Sequence, residues 1–159
     1  MTQHAPLFIV LLPVSAALLC MLFSRIQKNL GSWIVIASIA GAFLTAVSSL
    51  QQVIADGGKA LHYWMGNWQP PLGIEFVIDP ISGALAVLIT FIALLGSLYS
   101  LPFVKEEGWL HIGGYYTLYG LMTVGMCGMV ITGDVFSLYV FLEVMSLSGY
   151  GLIAIGGKN

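Results

Sequence analysis

Apolar residues fall along this chain in long runs separated by short polar stretches. Five runs stand out, approximately Pro6 to Ser24, Ser32 to Ala55, Ile81 to Phe103, Gly114 to Ile131 and Val135 to Ile155. Each is about twenty residues long, which as a helix crosses roughly 30 Å of hydrocarbon. Between the second and third runs the period changes. HYWMGNWQPPLGIEFVIDP carries a turn signal at Gly66 and Asn67, a Pro-Pro-x-Gly corner, and then Ile74, Phe76 and Ile78 alternating with Glu75, Val77 and Asp79. That alternation predicts a small β-hairpin within the loop 56–80. The expected fold is an all-α membrane protein, with residues 1–159 forming a single transmembrane domain of five helices and a hairpin on its outer face.

Composition supports this pattern. The chain has 159 residues, 58% of them hydrophobic and 8% charged, more apolar surface than one water-soluble core of this size could hide. A net charge of -2 without any Lys/Arg cluster gives no footprint for nucleic acid or an anionic surface. Cys20 and Cys127 each sit alone in an apolar run and read as small buried hydrophobes, so neither a metal site nor a cofactor is expected.

The charges between runs assign an orientation. No Lys or Arg precedes the first run, and Arg25 and Lys28 follow it, which marks a retained anchor with its N-terminus outside. If all five runs cross, Arg25, Lys28, Lys105 and Lys158 share one side and only Lys59 lies opposite, as expected of cytoplasmic loops. Asp56, Glu75, Asp79 and Asp134 then gather outside, Glu106 and Glu107 form a solvated inner turn, and the C-terminus is cytoplasmic. Trp64 and Trp68 suit the headgroup level as interfacial anchors. Within the spans, Ala37, Gly41, Thr45 and Ser49 recur at every fourth position and Gly120, Gly125 and Gly128 lighten the fourth run, allowing close helix approach. Pro13 should bend the first helix and free a carbonyl, which suggests burial in a bundle.

Candidate chemistry concentrates in the fifth run, DVFSLYVFLEVMSLSGYGLIAIGG. Gly133 ends the fourth helix and Asp134 is placed to cap the fifth, at the positive end of its dipole. Glu143 lies nine residues beyond that cap, on the order of 14 Å and close to the membrane midplane. An acidic residue there costs about 2.5–3.5 kcal/mol to insert, so something must offset it. Tyr139, Glu143, Ser146 and Tyr150 share one helical face and form a polar stripe expected to look into protein. Hydroxyls alone could hold a neutral carboxyl. A lysine at about 4 Å would contribute on the order of 4 kcal/mol at an effective dielectric of 20 and hold it ionised. A carboxyl poised between those states suits proton relay, whereas an interhelical hydrogen-bond clamp is the plainer alternative. His111, at the inner mouth of the fourth run, is a possible site of proton entry, or simply an interfacial histidine. His4 and His62 fall in outer aqueous segments.

The segment YYTLYGLMTVGMCGMVITGDVFSLYVFLEVMSLSGYGLIAI resembles the fourth and fifth helices of the antiporter-like membrane subunits shared by respiratory complex I, the Mrp cation/proton antiporters and the membrane-bound hydrogenases. GNWQPPLGIEFVID is similar to that family's outer loop, so the likeness runs from roughly Trp64 to Gly156, most specifically in the Phe-x-Glu context of Glu143. It implies that Glu143 is the fifth-helix glutamate of a lysine-glutamate pair in a proton half-channel. It also implies an ion-transporting subunit of a multisubunit complex in a prokaryotic cytoplasmic (inner) membrane. Family members typically have fourteen helices and carry lysines on the seventh, eighth and twelfth. This sequence has five apolar runs and no Lys or Arg inside them, so the remaining helices and the lysine are expected from another membrane subunit. The alternative is a structural or assembly subunit with no ion path of its own.

Overall fold

In the computed structural model, which describes residues 4–27, 30–68, 73–104 and 109–156, the chain forms five α-helices and one small sheet. In chain order these are α1 (Ala5–Ile26), α2 (Leu30–Ala55), β1 (Leu61–Trp64), β2 (Glu75–Ile78), α3 (Pro80–Val104), α4 (Trp109–Ile131) and α5 (Val135–Gly156). All five helices are long and apolar enough to cross a membrane. Lys28, Pro70, Pro71, Lys105, Glu106, Glu107 and Lys158 lie outside the described residues.

The helix boundaries lie within two residues of the hydropathy pattern except at the start of α4. α1 continues through Arg25, which is exposed in its last turn, where a cation suits the negative end of the helix dipole. α4 starts at Trp109 rather than Gly114. His111 and two glycines dilute its hydropathy, yet Ile112 and Tyr116 are buried and Gly113 packs against Met21 and Ser24 of α1, so packing carries the extra turn.

α4 is the hub of the bundle and packs on each of the other four helices. Lipid offers no hydrophobic drive between helices, so close packing and interhelical hydrogen bonds must hold them. Gly120 of α4 approaches Ala17 of α1, with 3.1 Å between a Cβ built at the glycine and the alanine Cβ. Pro13 lies buried inside α1 opposite the same glycine. Thr117 Oγ1 donates to the Ala17 carbonyl at 3.1 Å, and Tyr119 Oη donates to the Ala93 carbonyl of α3 at 2.9 Å. The Tyr116 hydroxyl lies 3.0 Å from Ser100 Oγ, also on α3. Cys20 and Cys127 are fully buried as free thiols.

On α2 the buried seam is Val35, Ile39, Ala42, Ala46, Ser49 and Val53, and the four-residue stripe of small residues follows it only in part. Ala37 is exposed, Gly41 and Thr45 are half-buried and Ser49 is buried. A strict step of four overshoots the helical period and drifts about 40° each time, so the stripe winds out of the interface.

The hairpin forms as the alternation predicts, with Leu61 opposite Ile78 and Trp64 opposite Glu75. A 3-10 turn over Met65–Asn67 follows β1, with Gly66 at φ +66°, a conformation that favours glycine. Phe76 and Ile78 are buried among Ile9, Val53 and Ile131, which anchors the sheet to the ends of the helices. Ile74 does not join them: it precedes the strand and stays exposed.

Candidate functional site

The site begins with the connection Thr132–Asp134. Asp134 Oδ1 accepts a 2.6 Å hydrogen bond from the Ser137 backbone N–H, capping α5 as its position in the sequence predicts. Partial burial alone would raise its pKa, but the hydrogen bonds from Ser137 and Thr132 outweigh that and hold the carboxyl below the usual range. The hairpin fixes this connection from the other side. The Gly133 N–H donates to the Glu75 carbonyl at 2.8 Å, Thr132 forms a β-bridge with Phe76, and the Phe76 ring rests against that of Phe141.

α5 then packs on α4 through glycines. A Cβ at Gly125 would lie 2.7 Å from the Met145 backbone nitrogen, one at Gly128 would enter the Phe141 ring, Gly151 faces Leu118, and Gly114 faces Ile155. These contacts occupy one side of α5. At about 100° per residue the stripe of Tyr139, Glu143, Ser146 and Tyr150 stands about half a turn away. It therefore points out of the five-helix bundle: Tyr139 is 62% and Tyr150 69% exposed, with Glu143 and Ser146 half-buried. Of the apolar window of α4, 44% is buried, against 6% for α5, so α5 is the least covered helix. Among the described residues Glu143 has no hydrogen-bond or ion-pair partner, and the one salt bridge is elsewhere.

The structure does not bring His111 to Glu143. His111 is half-buried near the start of α4, a little beyond the level where Gly114 meets Ile155. Ile155 is twelve residues along α5 from Glu143, so the separation along the helix is about 18 Å.

A second polar cluster lies at the hairpin, beyond what sequence reasoning singled out. Glu75 Oε1 accepts from Trp64 Nε1 at 2.9 Å and pairs with His62 Nδ1 at 2.8 Å. The hydrogen bond from His62, then that from Trp64, holds the Glu75 carboxyl below its usual range. Trp64 thus combines a half-exposed ring with a fixed polar end, while Trp68 is 65% exposed. Asp79 and Ser82 form a reciprocal capping box at α3, with Asp79 Oδ1 accepting from the Ser82 N–H at 2.6 Å and Ser82 Oγ from the Asp79 N–H at 2.8 Å. The Asp-Pro-Ile-Ser spacing carried that signal, with proline at the first helical position. His4 Nδ1 lies 3.2 Å from the Tyr63 hydroxyl and ties the start of α1 to β1. Among the described residues no group of three or more His, Cys, Asp or Glu side chains gathers as a metal site.

No family model matches the chain. Its similarity to individual proteins runs end to end. It is 37% identical to NADH-quinone oxidoreductase subunit N of Desulforudis audaxviator, over 100% of this chain and 32% of that protein. It is 31% identical to a subunit of the Na+/H+ antiporter of Bacillus subtilis, over 94% of this chain and 29% of that protein. Among solved structures, a chain of an archaeal membrane-bound sulfane sulfur reductase superimposes with a TM-score of 0.87 at 29% identity, over 99% of this chain and 31% of its own length. A chain of the Mrp complex from a Dietzia species gives 0.78 at 26% identity, over 96% and 27%. The sequence thus spans about one third of the length of the proteins it matches. Over its own length this chain is a homologue of the antiporter-like membrane subunits that recur in complex I, Mrp antiporters and related membrane complexes.

Proposed function

We propose that this chain is part of a proton- or cation-translocating subunit of a multisubunit membrane complex, in which Glu143 is the protonatable group of a half-channel completed by a neighbouring membrane segment. The observation that carries this reading is the direction of the polar stripe. A carboxyl near the midplane is costly unless it meets polar partners, and the stripe of Tyr139, Glu143, Ser146 and Tyr150 is turned away from its own bundle. A lysine on the neighbouring segment would supply the missing counter-charge. The homologues act within multisubunit membrane assemblies, which supports such a neighbour. His111 is a candidate only for proton entry at the far end of the bundle, reached through groups outside this chain.

The proposed orientation puts the hairpin outside and the end bearing Arg25 and His111 in the cytoplasm, following the basic-residue bias. The site is tested by replacing Glu143→Gln in the assembled complex and measuring ion-coupled activity in sealed vesicles. Coupled ion movement should be lost while the complex assembles at its normal level, and Glu143→Asp should restore part of it. Full activity in Glu143→Gln would defeat the reading and favour a structural subunit.

A further inference from the structure

Among the described helices α5 packs substantially on α4 alone, so this one contact decides which way Glu143 faces. Phe141 and Met145 stand one turn apart on the packed side of α5, and Glu143 lies midway between them on the other. Both flanking residues meet α4 at glycines. The three atoms that a Cβ at Gly128 would strike all belong to the Phe141 ring, and a Cβ at Gly125 would lie 2.7 Å from the Met145 Cβ.

The two contacts fix different things. At Gly125 the facing atoms are the Met145 nitrogen and Cβ and the Phe141 carbonyl oxygen, which lie close to the axis of α5 and limit how near the helices come. The Phe141 ring reaches further out and is enclosed from a second side by Phe76, with ring centroids 6.3 Å apart and planes tilted by 38°. Phe76 is itself 1% exposed and lies in the strand bridged to Thr132, so it cannot give way easily. A ring held in this way resists turning of the helix that carries it. Turning matters because a carboxyl about 6 Å from the helix axis moves about 2 Å for a rotation of about 20°. That would take a charged partner from about 4 Å to about 6 Å, and a misplacement of this size at a reacting group costs about tenfold to a hundredfold in rate.

We infer that Phe141 is a positioning residue for Glu143: its ring, seated over Gly128 and backed by Phe76 of the hairpin, fixes the rotation of α5 that turns the carboxyl toward the neighbouring segment. The inference rests on the reading of Glu143 as the protonatable group of the half-channel. It gives the hairpin a part in the ion path, since Phe76 links the sheet to the residue two positions before the acid.

Modification of Glu143 by dicyclohexylcarbodiimide, located by peptide mass spectrometry on the assembled complex in sealed vesicles, tests the orientation apart from transport. Phe141→Ala should raise the modification rate several-fold and lower ion movement per assembled complex by at least about tenfold. Adding Gly128→Leu, which returns bulk to the same space from the α4 side, should bring both back toward the parent values. Phe76→Leu leaves α5 untouched and should shift both in the same direction by less, which keeps the test open if Phe141→Ala fails to assemble. Phe103→Ala, at a ring of α3 that is 65% exposed, should change neither. Unaltered modification of Glu143 in Phe141→Ala or Phe76→Leu, or a double variant that regains assembly without regaining the parent modification rate, would overturn the inference. Full transport in Glu143→Gln would instead remove the ion-path reading and leave the orientation measured by modification standing on its own.

Discussion

Three carboxylates order the hairpin side of the molecule, and each is held below its ordinary pKa by hydrogen bonds. Glu75 is bound by His62 and Trp64, Asp79 by Ser82, and Asp134 by Ser137 and Thr132 against the opposing effect of its own burial. A depressed folded pKa stabilises the fold above the unfolded value, and that contribution disappears as pH falls through the folded value. With reference values of 4.5 for Glu75 and 3.8 for the aspartates, the hairpin side should be indifferent to pH near neutrality and loosen only in acid below about 4. Hydrogen exchange of the β1 and β2 amides across that range reports it. Exchange should accelerate in acid, and Glu75→Gln should flatten part of the response. Asp79→Ala removes the α3 cap and should cost about 1 kcal/mol, read as a lower melting temperature in detergent.

At the scale of elements, the α4–α5 contact leaves no room for an added side chain. Gly125 lies so close to α5 that a Cβ would sit 2.8 Å from the Phe141 carbonyl oxygen, and backbone cannot swing aside as a side chain can. Gly125→Ala should therefore cost about 1–3 kcal/mol and weaken assembly, whereas Thr117→Val, which removes one interhelical hydrogen bond, should cost only about 0.6 kcal/mol. Thermal denaturation of both variants in one detergent compares them directly. These contacts also separate what the sequence made legible from what it did not. Each span could be read because about twenty apolar residues in a row have few alternatives, and the hairpin because period-two alternation follows a glycine turn. The bridge from Phe76 to Thr132 was hidden, since residues 56 positions apart meet only once the helices have packed. Periodicity placed Tyr139, Glu143, Ser146 and Tyr150 on a common face but carried no information on what that face meets. Only the packing of α5 on α4 reveals that it turns outward.

For the whole molecule, five helices run in alternating directions with the hairpin at one end, and the least covered helix carries the intramembrane acid. The orientation proposed from charge makes a clear prediction. Lys59→Cys, beside the hairpin, should react with a membrane-impermeant maleimide on intact cells, and Arg25→Cys only after the membrane is opened; the buried Cys20 and Cys127 should stay silent in both. The central claim is that the polar face of α5 is completed by protein supplying a positive charge. A cryo-electron-microscopy map of the assembled complex, resolved well enough to show side chains and ordered water, tests it most directly. The account predicts a lysine within about 4 Å of Glu143 or joined to it by ordered water. Acyl chains covering the carboxyl, or only apolar side chains against it, would contradict the account.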